Sequence, residues 1–262
     1  MYLRTINYAP PDSATEYPFS IPAVATLDQL TFRTPVTFFA GENGSGKSTL
    51  LEAIAAGIHA VPVRGHDPLT EETLAPSREL AKHLSFSWST KTRRGFFLRA
   101  EDFFDYTKHL SQLMAEMTGF ADEFDTRFTG YGRDLARCAV LGEYHALAGR
   151  YGEDPNARSH GEGFLHFFGA RFTGEGLYLL DEPDTALSAQ SVLGLMAMLT
   201  MMVAQGAQFI IATHHPMLLA FPDAAIISFD RTPVAEVRYA DVEQVALMRD
   251  FLNRPGAFLR HL

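Results

Sequence analysis

Short, almost continuously apolar runs alternate along this chain with longer stretches that favour helix. Val36-Thr-Phe-Phe-Ala40, Leu177-Tyr-Leu-Leu180, Gln208-Phe-Ile-Ile-Ala-Thr213 and Ala225-Ile-Ile-Ser-Phe229 are strand-length and apolar throughout, which predicts strands buried on both faces. Between and after them lie Leu50-Leu-Glu-Ala-Ile-Ala-Ala56, Ala189–Ala204 and Asp241–Leu252, each predicted as helix. This order predicts an α/β fold with a mostly parallel sheet covered by helices. Residues 1–35 mix short β-like pieces with Pro10, Pro11, Pro18, Pro22 and Pro35, the mark of edge strands and turns. Residues 58–83 are rich in proline and charge and predict a loop with a short helix over Ser77–Lys82. Ser85–Thr90 alternates like a half-buried strand, Lys91–Gly95 reads as a turn, and Phe96–Ala100 as a second strand.

Residues 101–150 read as mainly helical. Phe103, Phe104, Tyr106, Leu110, Leu113, Met114 and Met117 fall near a spacing of three to four. Gly119, Gly130 and Gly132 interrupt the segment, so a long coiled coil is not expected. A further helix is expected over Leu165–Phe172. No internal repeat or low-complexity tract stands out.

The loop after the first buried strand carries chemistry. Gly41-Glu-Asn43-Gly44-Ser45-Gly46-Lys47-Ser48-Thr49 matches G-x-x-x-x-G-K-[ST], with Gly41, Gly46, Lys47 and Ser48 at the defining positions. A strand precedes it and a helix follows, the context the motif needs. The glycines let successive N–H groups turn inward toward phosphate oxygens, and the helix N-terminus adds a favourable field. Lys47 would reach the β- and γ-phosphates, and the Ser48 hydroxyl would ligate Mg²⁺. A second strand ends in carboxylates at Asp181-Glu182-Pro183. Asp181 would hold Mg²⁺ through its water shell, and Glu182 would polarise an attacking water.

Bulk properties narrow the picture. The chain has 262 residues, is 47% hydrophobic and 20% charged, and carries a formal net charge of −9. Such an acidic balance disfavours broad attraction to nucleic acid or anionic membrane, leaving room only for a local basic patch. Arg127, Arg133, Arg137, Arg150 and Arg158 interleave with acidic residues, which reads as a solvated mixed face. One cysteine, Cys138, excludes an internal disulfide and is expected as a small buried residue. His59, His66 and His83 show no metal-ligand spacing, so no zinc site is expected. The N-terminus lacks the apolar core of a signal peptide, and the most apolar run, Val192–Val203, is shorter than a bilayer span. The expectation is a soluble cytoplasmic protein.

Taken together with Asp184-Thr-Ala-Leu-Ser188, the Asp181-Glu182-Pro183 strand end resembles the Walker B and D-loop of ATP-binding-cassette-type ATPases. Arg158-Ser159-His160-Gly161-Glu162 lies ahead of it, where that family carries its signature sequence. Thr213-His214-His215-Pro216 follows at the place of the switch histidine. Four motifs in order cover residues 36–216. The resemblance implies a single domain over 1–262 with a helical signature subdomain over 101–170. It also implies ATP and Mg²⁺ as ligands. Ser159 and Gly161 would contact the γ-phosphate held on the P-loop of a second copy, in an ATP-dependent homodimer, and His214 would contact the γ-phosphate and the attacking water. Departures from the pattern are His160, Glu162 and Ser188, as in the non-transporter branch that includes recombination-repair and chromosome-maintenance heads. The family's Q-loop glutamine would fall on Arg99, with Glu101 two residues on as the better substitute at Mg²⁺. An adenine-stacking aromatic would be Tyr17, with Phe19 the alternative. Three uses follow from the resemblance: a soluble nucleotide-driven switch, a nucleic-acid-associated ATPase of a repair or phage-defence system, and the nucleotide-binding subunit of a membrane transporter.

Overall fold

The computed structural model describes the chain except for residues 12–14, 63–71, 128–129, 152–162, 164–166, 170, 173, 186 and 261–262. In chain order the elements are β1 (Leu3–Tyr8), α1 (Pro22–Ala25), β2 (Gln29–Thr31), β3 (Val36–Ala40), α2 (Lys47–Gly57), α3 (Ala75–Ala81), β4 (Leu84–Trp88), β5 (Phe97–Arg99), α4 (Ala100–Arg127) and α5 (Tyr131–Tyr151). They continue with β6 (Gly176–Asp181), α6 (Ala189–Ala204), β7 (Ala207–Thr213), α7 (Pro216–Leu219), β8 (Ala225–Ser228), β9 (Ala235–Val237), α8 (Glu243–Asn253) and α9 (Pro255–Leu259). Two compact units result, one from Met1–Ala100 with Thr173–Leu262, the other from Glu101–Phe172.

The first unit contains a six-stranded sheet in the order β5-β6-β7-β3-β8-β9. Every pairing in it is parallel except the edge strand β9, which runs antiparallel to β8. Its parallel strands are the continuously apolar runs, and β3, β6, β7 and β8 are buried along their whole length. Burial on both faces is what makes such strands apolar without alternation. Phe39, Leu179, Ile210, Ala212 and Ile227 point to the face that packs with Leu50, Leu51 and Ile54 of α2. On the alternate residues, Tyr178 stacks on Phe209 at 5.1 Å between ring centroids. A second sheet, β2-β1-β4, is antiparallel and joins the same apolar cluster through Leu3, Ile6, Leu30 and Leu84.

Gln208 fastens the N-terminal strand beside the main sheet. Its fully buried side chain accepts from the backbone of Tyr2 (2.7 Å) and Leu3 (3.0 Å) and donates to the Leu3 carbonyl (2.9 Å). Leaving buried groups of this kind without partners costs about 1–3 kcal/mol each.

The run 84–100 departs from the sequence reading. β4 and β5 are both strands, but they do not pair with each other. β4 alternates in burial and joins β1, whereas all three residues of β5 are buried and join β6 in the central sheet. The linking chain turns at Gly95, whose φ of 113° is left-handed. A Cβ there would sit 1.8 Å from the Leu177 carbonyl oxygen, so only glycine lets the strand pass.

The second unit holds the helices α4 and α5, with Leu110, Met114 and Ala121 buried along α4. Phe168 stacks on Phe172 at 4.7 Å. Cys138, expected to be buried, is exposed on α5. Among the described residues, no helix is long and apolar enough to cross a membrane.

Candidate functional site

Register brings the chemistry together at the carboxyl ends of the parallel strands. Ala40 lies level with Thr213 and with Ser228, and Asp181 with Ala212. Gly41, Glu182, His214 and Asp230 therefore lie just beyond the ends of β3, β6, β7 and β8, where ligands bind in open α/β sheets.

The loop 41–46 wraps onto the N-terminus of α2. Gly46 occupies the N-cap position in a left-handed conformation (φ 100°), and a Cβ there would come 2.7 Å from Ile21 Cγ2. Glycine at this point permits both the turn and the close approach. Lys47 is 3% exposed, and its ammonium donates to the carbonyls of Gly41 (2.7 Å) and Glu42 (2.8 Å). Burial lowers its pKa, opposed by the nearby carboxylates of Glu182, Asp181, Asp230 and Asp184. The Ser48 hydroxyl donates to Asp181 Oδ1 at 3.0 Å. Asn43 and Gly44 are exposed on the loop, and Ser45 is half-buried. Tyr17 is 60% exposed with its hydroxyl 3.3 Å from Thr49 Oγ1, whereas Phe19 lies in the core with its ring against His83. Of the two aromatics considered from sequence, Tyr17 alone is accessible beside the loop.

Asp181 is buried, and desolvation pushes its carboxyl up to about 7, with Glu52 and Glu182 adding to the rise and Ser48 and Lys47 opposing it. A hydroxyl and a buried carboxylate are hard oxygen donors, and a divalent cation between them would offset that desolvation. The pair therefore fits Mg²⁺, which takes few protein ligands and draws the rest from phosphates and water. Among the described residues no group of three or more His, Cys, Asp or Glu side chains is placed to hold a metal ion.

Glu182 takes a left-handed backbone (φ 47°), uncommon for a residue with a side chain. Its N–H donates to the Ala212 carbonyl (2.9 Å), and its own carbonyl accepts from Thr185 (3.1 Å). This aims the half-buried carboxylate so that Oε1 lies 3.4 Å from His214 Nδ1, a contact too long for a good hydrogen bond.

Three further side chains support the site, and one of them, Asp230, gave no signal in the sequence. Asp230, after β8, accepts from the Glu42 N–H at 2.7 Å and from Gln244 at 3.2 Å, fixing the start of the loop. Asp184 is buried and accepts from Thr213 Oγ1 at 2.6 Å, and the same hydroxyl accepts from the His215 N–H at 3.0 Å. The carboxylate strand end and the histidine strand end are thereby tied together. Arg99 is buried at the end of β5, level with Asp181, and lies 3.7 Å from Glu52, which accepts from Ser77 at 2.6 Å. Of the two Q-loop candidates, Arg99 thus takes a cationic place next to the carboxylates. Glu101 is the second residue of α4, and its side chain lies outside the described residues, as do Ser159 and Gly161. Ser188 N-caps α6 by accepting from the Ser191 N–H at 3.2 Å.

A family model described as an AAA domain matches residues 25–94, which include the loop and α2. No curated protein matches by sequence. Among solved structures, a nucleotide-free ATP-binding cassette from an ABC transporter aligns over 100% of this chain and 99% of its own, at 17% identity and a TM-score of 0.50. Another ATP-binding cassette of an ABC transporter aligns over 96% and 97%, at 17% identity and a TM-score of 0.54. The fold is that of these two cassettes. An Smc head domain from Pyrococcus furiosus also aligns, over 96% and 99%, at 13% identity and a TM-score of 0.48. At these identities the cassette likeness concerns the fold, and the chemistry rests on the residues described above.

Proposed function

We propose that this cassette binds ATP with Mg²⁺ at Gly41–Thr49 and hydrolyses the terminal phosphoanhydride. The observation that supports it most is the convergence, at adjacent strand ends, of a buried ammonium, a hydroxyl–carboxylate pair and a carboxylate beside an imidazole. Gly41, Asn43, Gly44, Ser45 and Gly46 cradle the phosphates with their backbone, and Lys47 exchanges its carbonyl partners for the β- and γ-phosphate oxygens. Ser48 and Asp181 would hold Mg²⁺, which would supply positive charge beside the phosphates. Glu182 accepts a proton from the water that attacks the γ-phosphorus as the bond to the bridging oxygen breaks. His214 touches the γ-phosphate and orients that water. Tyr17 offers an exposed ring for the adenine.

The homodimer belongs to this reading through motif position. Ser159 and Gly161 of one copy would close on the γ-phosphate held by its partner, which makes the protein a nucleotide-driven switch. The test at the phosphate site is Lys47→Ala. We expect ATP affinity, measured calorimetrically, to fall by at least about 100-fold, because a buried charge-assisted contact to phosphate is lost. Unchanged affinity would place ATP elsewhere.

A further inference from the structure

A second concave site opens at the other end of the same helix. α2 begins at Lys47 on the phosphate loop and ends at Gly57, about 16 Å away for its 11 residues. There the chain leaves the helix through the bonds His59 N–H to Ala56 carbonyl (3.2 Å) and Ala60 N–H to Ala55 carbonyl (2.9 Å). His59 takes the left-handed position (φ 55°) that glycine usually fills in such an ending. A cleft of about 620 Å³ lies against this turn, walled by Phe86 and Trp88 of β4 and by the loop Lys91–Gly95, with Leu177 at its base. Leu177 is the second residue of the strand whose far end is Asp181, so this cleft sits at the amino ends of the parallel strands, opposite the phosphate loop.

The cleft is built from two kinds of surface. Phe86 and Trp88 are two residues apart on a strand and share a face, and both pack partly buried against the core cluster. Ile58 and Val61 extend that apolar wall. Lys91, Thr92, Arg93 and Arg94 line the same cleft. Arg94 is paired with Glu175 at 3.1 Å, whereas Lys91 and Arg93 make no ion pair among the described residues. In a chain of net charge −9, residues 80–100 contain no Asp or Glu, so the positive field here is local and uncompensated along the chain. The basic loop is also held in shape. Its Arg94 N–H donates to Thr92 Oγ1 (3.0 Å), its Arg94 carbonyl accepts from Leu177 (3.0 Å), and Gly95 admits no side chain. The volume lies within the ~300–1,000 Å³ range of small-ligand sites.

A cleft lined by aromatic rings, by cations and by a hydroxyl suits a planar ring carrying a phosphate. We propose that this cleft is a second nucleotide site, separate from the phosphate loop. The base lies along Trp88 and Phe86, and the phosphate meets Lys91, Thr92 and Arg93. The same chemistry is offered by a free nucleotide and by the 5′-phosphorylated end of a single strand. This inference does not depend on the ATP reading, because none of its residues belongs to the phosphate loop.

Trp88 is the chain's one tryptophan, so its fluorescence reports on the cleft. The full chain is titrated with AMP, which lacks the β- and γ-phosphates the loop would hold, with a 5′-phosphorylated octathymidylate, and with adenosine or inorganic phosphate as partial ligands. We expect saturable quenching by AMP, by the oligonucleotide or by both. It should weaken at least about 10-fold in Lys91→Glu/Arg93→Glu, while calorimetric ATP binding at the loop is unchanged. Tighter binding of the oligonucleotide assigns the ligand to a strand end, and tighter binding of AMP to a free nucleotide; either result supports the site. No saturable quenching up to about 10 mM overturns the proposal, as does quenching unaltered in the double variant. Equal quenching by phosphate alone overturns the role given to the aromatic wall, and with it the nucleotide assignment.

Discussion

Glu182→Gln is expected to lower the rate of ATP hydrolysis by about 10²–10⁴-fold while leaving ATP affinity within a few-fold. The carboxylate is the group placed to take a proton from water, and the amide keeps its size and its contact with Thr185 Oγ1 at 3.4 Å while losing its basicity. Glutamine enters the left-handed backbone at this position no more and no less easily than glutamate, so the fold should not change. Phosphate release measured beside calorimetric ATP binding separates the two effects. In the dimer reading, the variant also retains ATP and accumulates as a species of twice the 29.0 kDa chain mass, visible by light scattering. Retained turnover would remove Glu182 from the role of base and turn attention to His214, whose ring lies 3.4 Å away.

The second large effect concerns Asp181 and pH. Its carboxyl is raised from 3.8 to about 7, chiefly by desolvation, with Glu52 and Glu182 adding and Ser48 and Lys47 opposing. Between pH ~4 and ~7 the folded protein keeps a proton that the unfolded chain releases, so stability falls as pH rises through this window and levels off above it. A shift of that size corresponds to roughly 4 kcal/mol. Asp181→Asn removes the titrating group. In the absence of Mg²⁺, the variant should melt at a higher temperature than the parent at pH ~8, and the difference should vanish toward pH ~4. Addition of Mg²⁺ and ATP should stabilise the parent far more than the variant, and turnover should fall with the loss of the metal ligand. A parent and variant with the same melting temperature at both pH values would show that Asp181 carries no such burden. This is a trade of stability for function, the pattern expected of a buried metal-binding carboxylate.

What could be read from the sequence was local. Val36–Ala40 and Gln208–Thr213 announce themselves because strands buried on both faces carry almost no polar residues. The helix predicted over Ala189–Ala204 has the observed bounds, helped by the Ser188 cap. The phosphate loop is legible because its residues are consecutive. The supports of the site were hidden because they are not. Asp230 reaches Glu42 across 188 positions and Thr213 reaches Asp184 across 29, and neither pair has a periodicity to reveal it. The separation of β4 from β5 turned on a single glycine passing a carbonyl, a tertiary constraint that an alternating pattern does not encode. Arg99 stood in the sequence only as the position of the Q-loop glutamine, and its burial beside Glu52 could not be read there, since the partner that makes such burial tolerable lies on α2. Cys138 went the other way, because small apolar character alone does not say which face of a helix it occupies.

The most direct test of the account is the release of phosphate from ATP by the unmodified chain, followed with Mg²⁺ and again after chelation of the metal. Sustained turnover is expected with Mg²⁺, lost on chelation and lost in Lys47→Ala. Failure to bind or hydrolyse ATP in the presence of Mg²⁺, or turnover that survives both chelation and the Lys47 substitution, would contradict it.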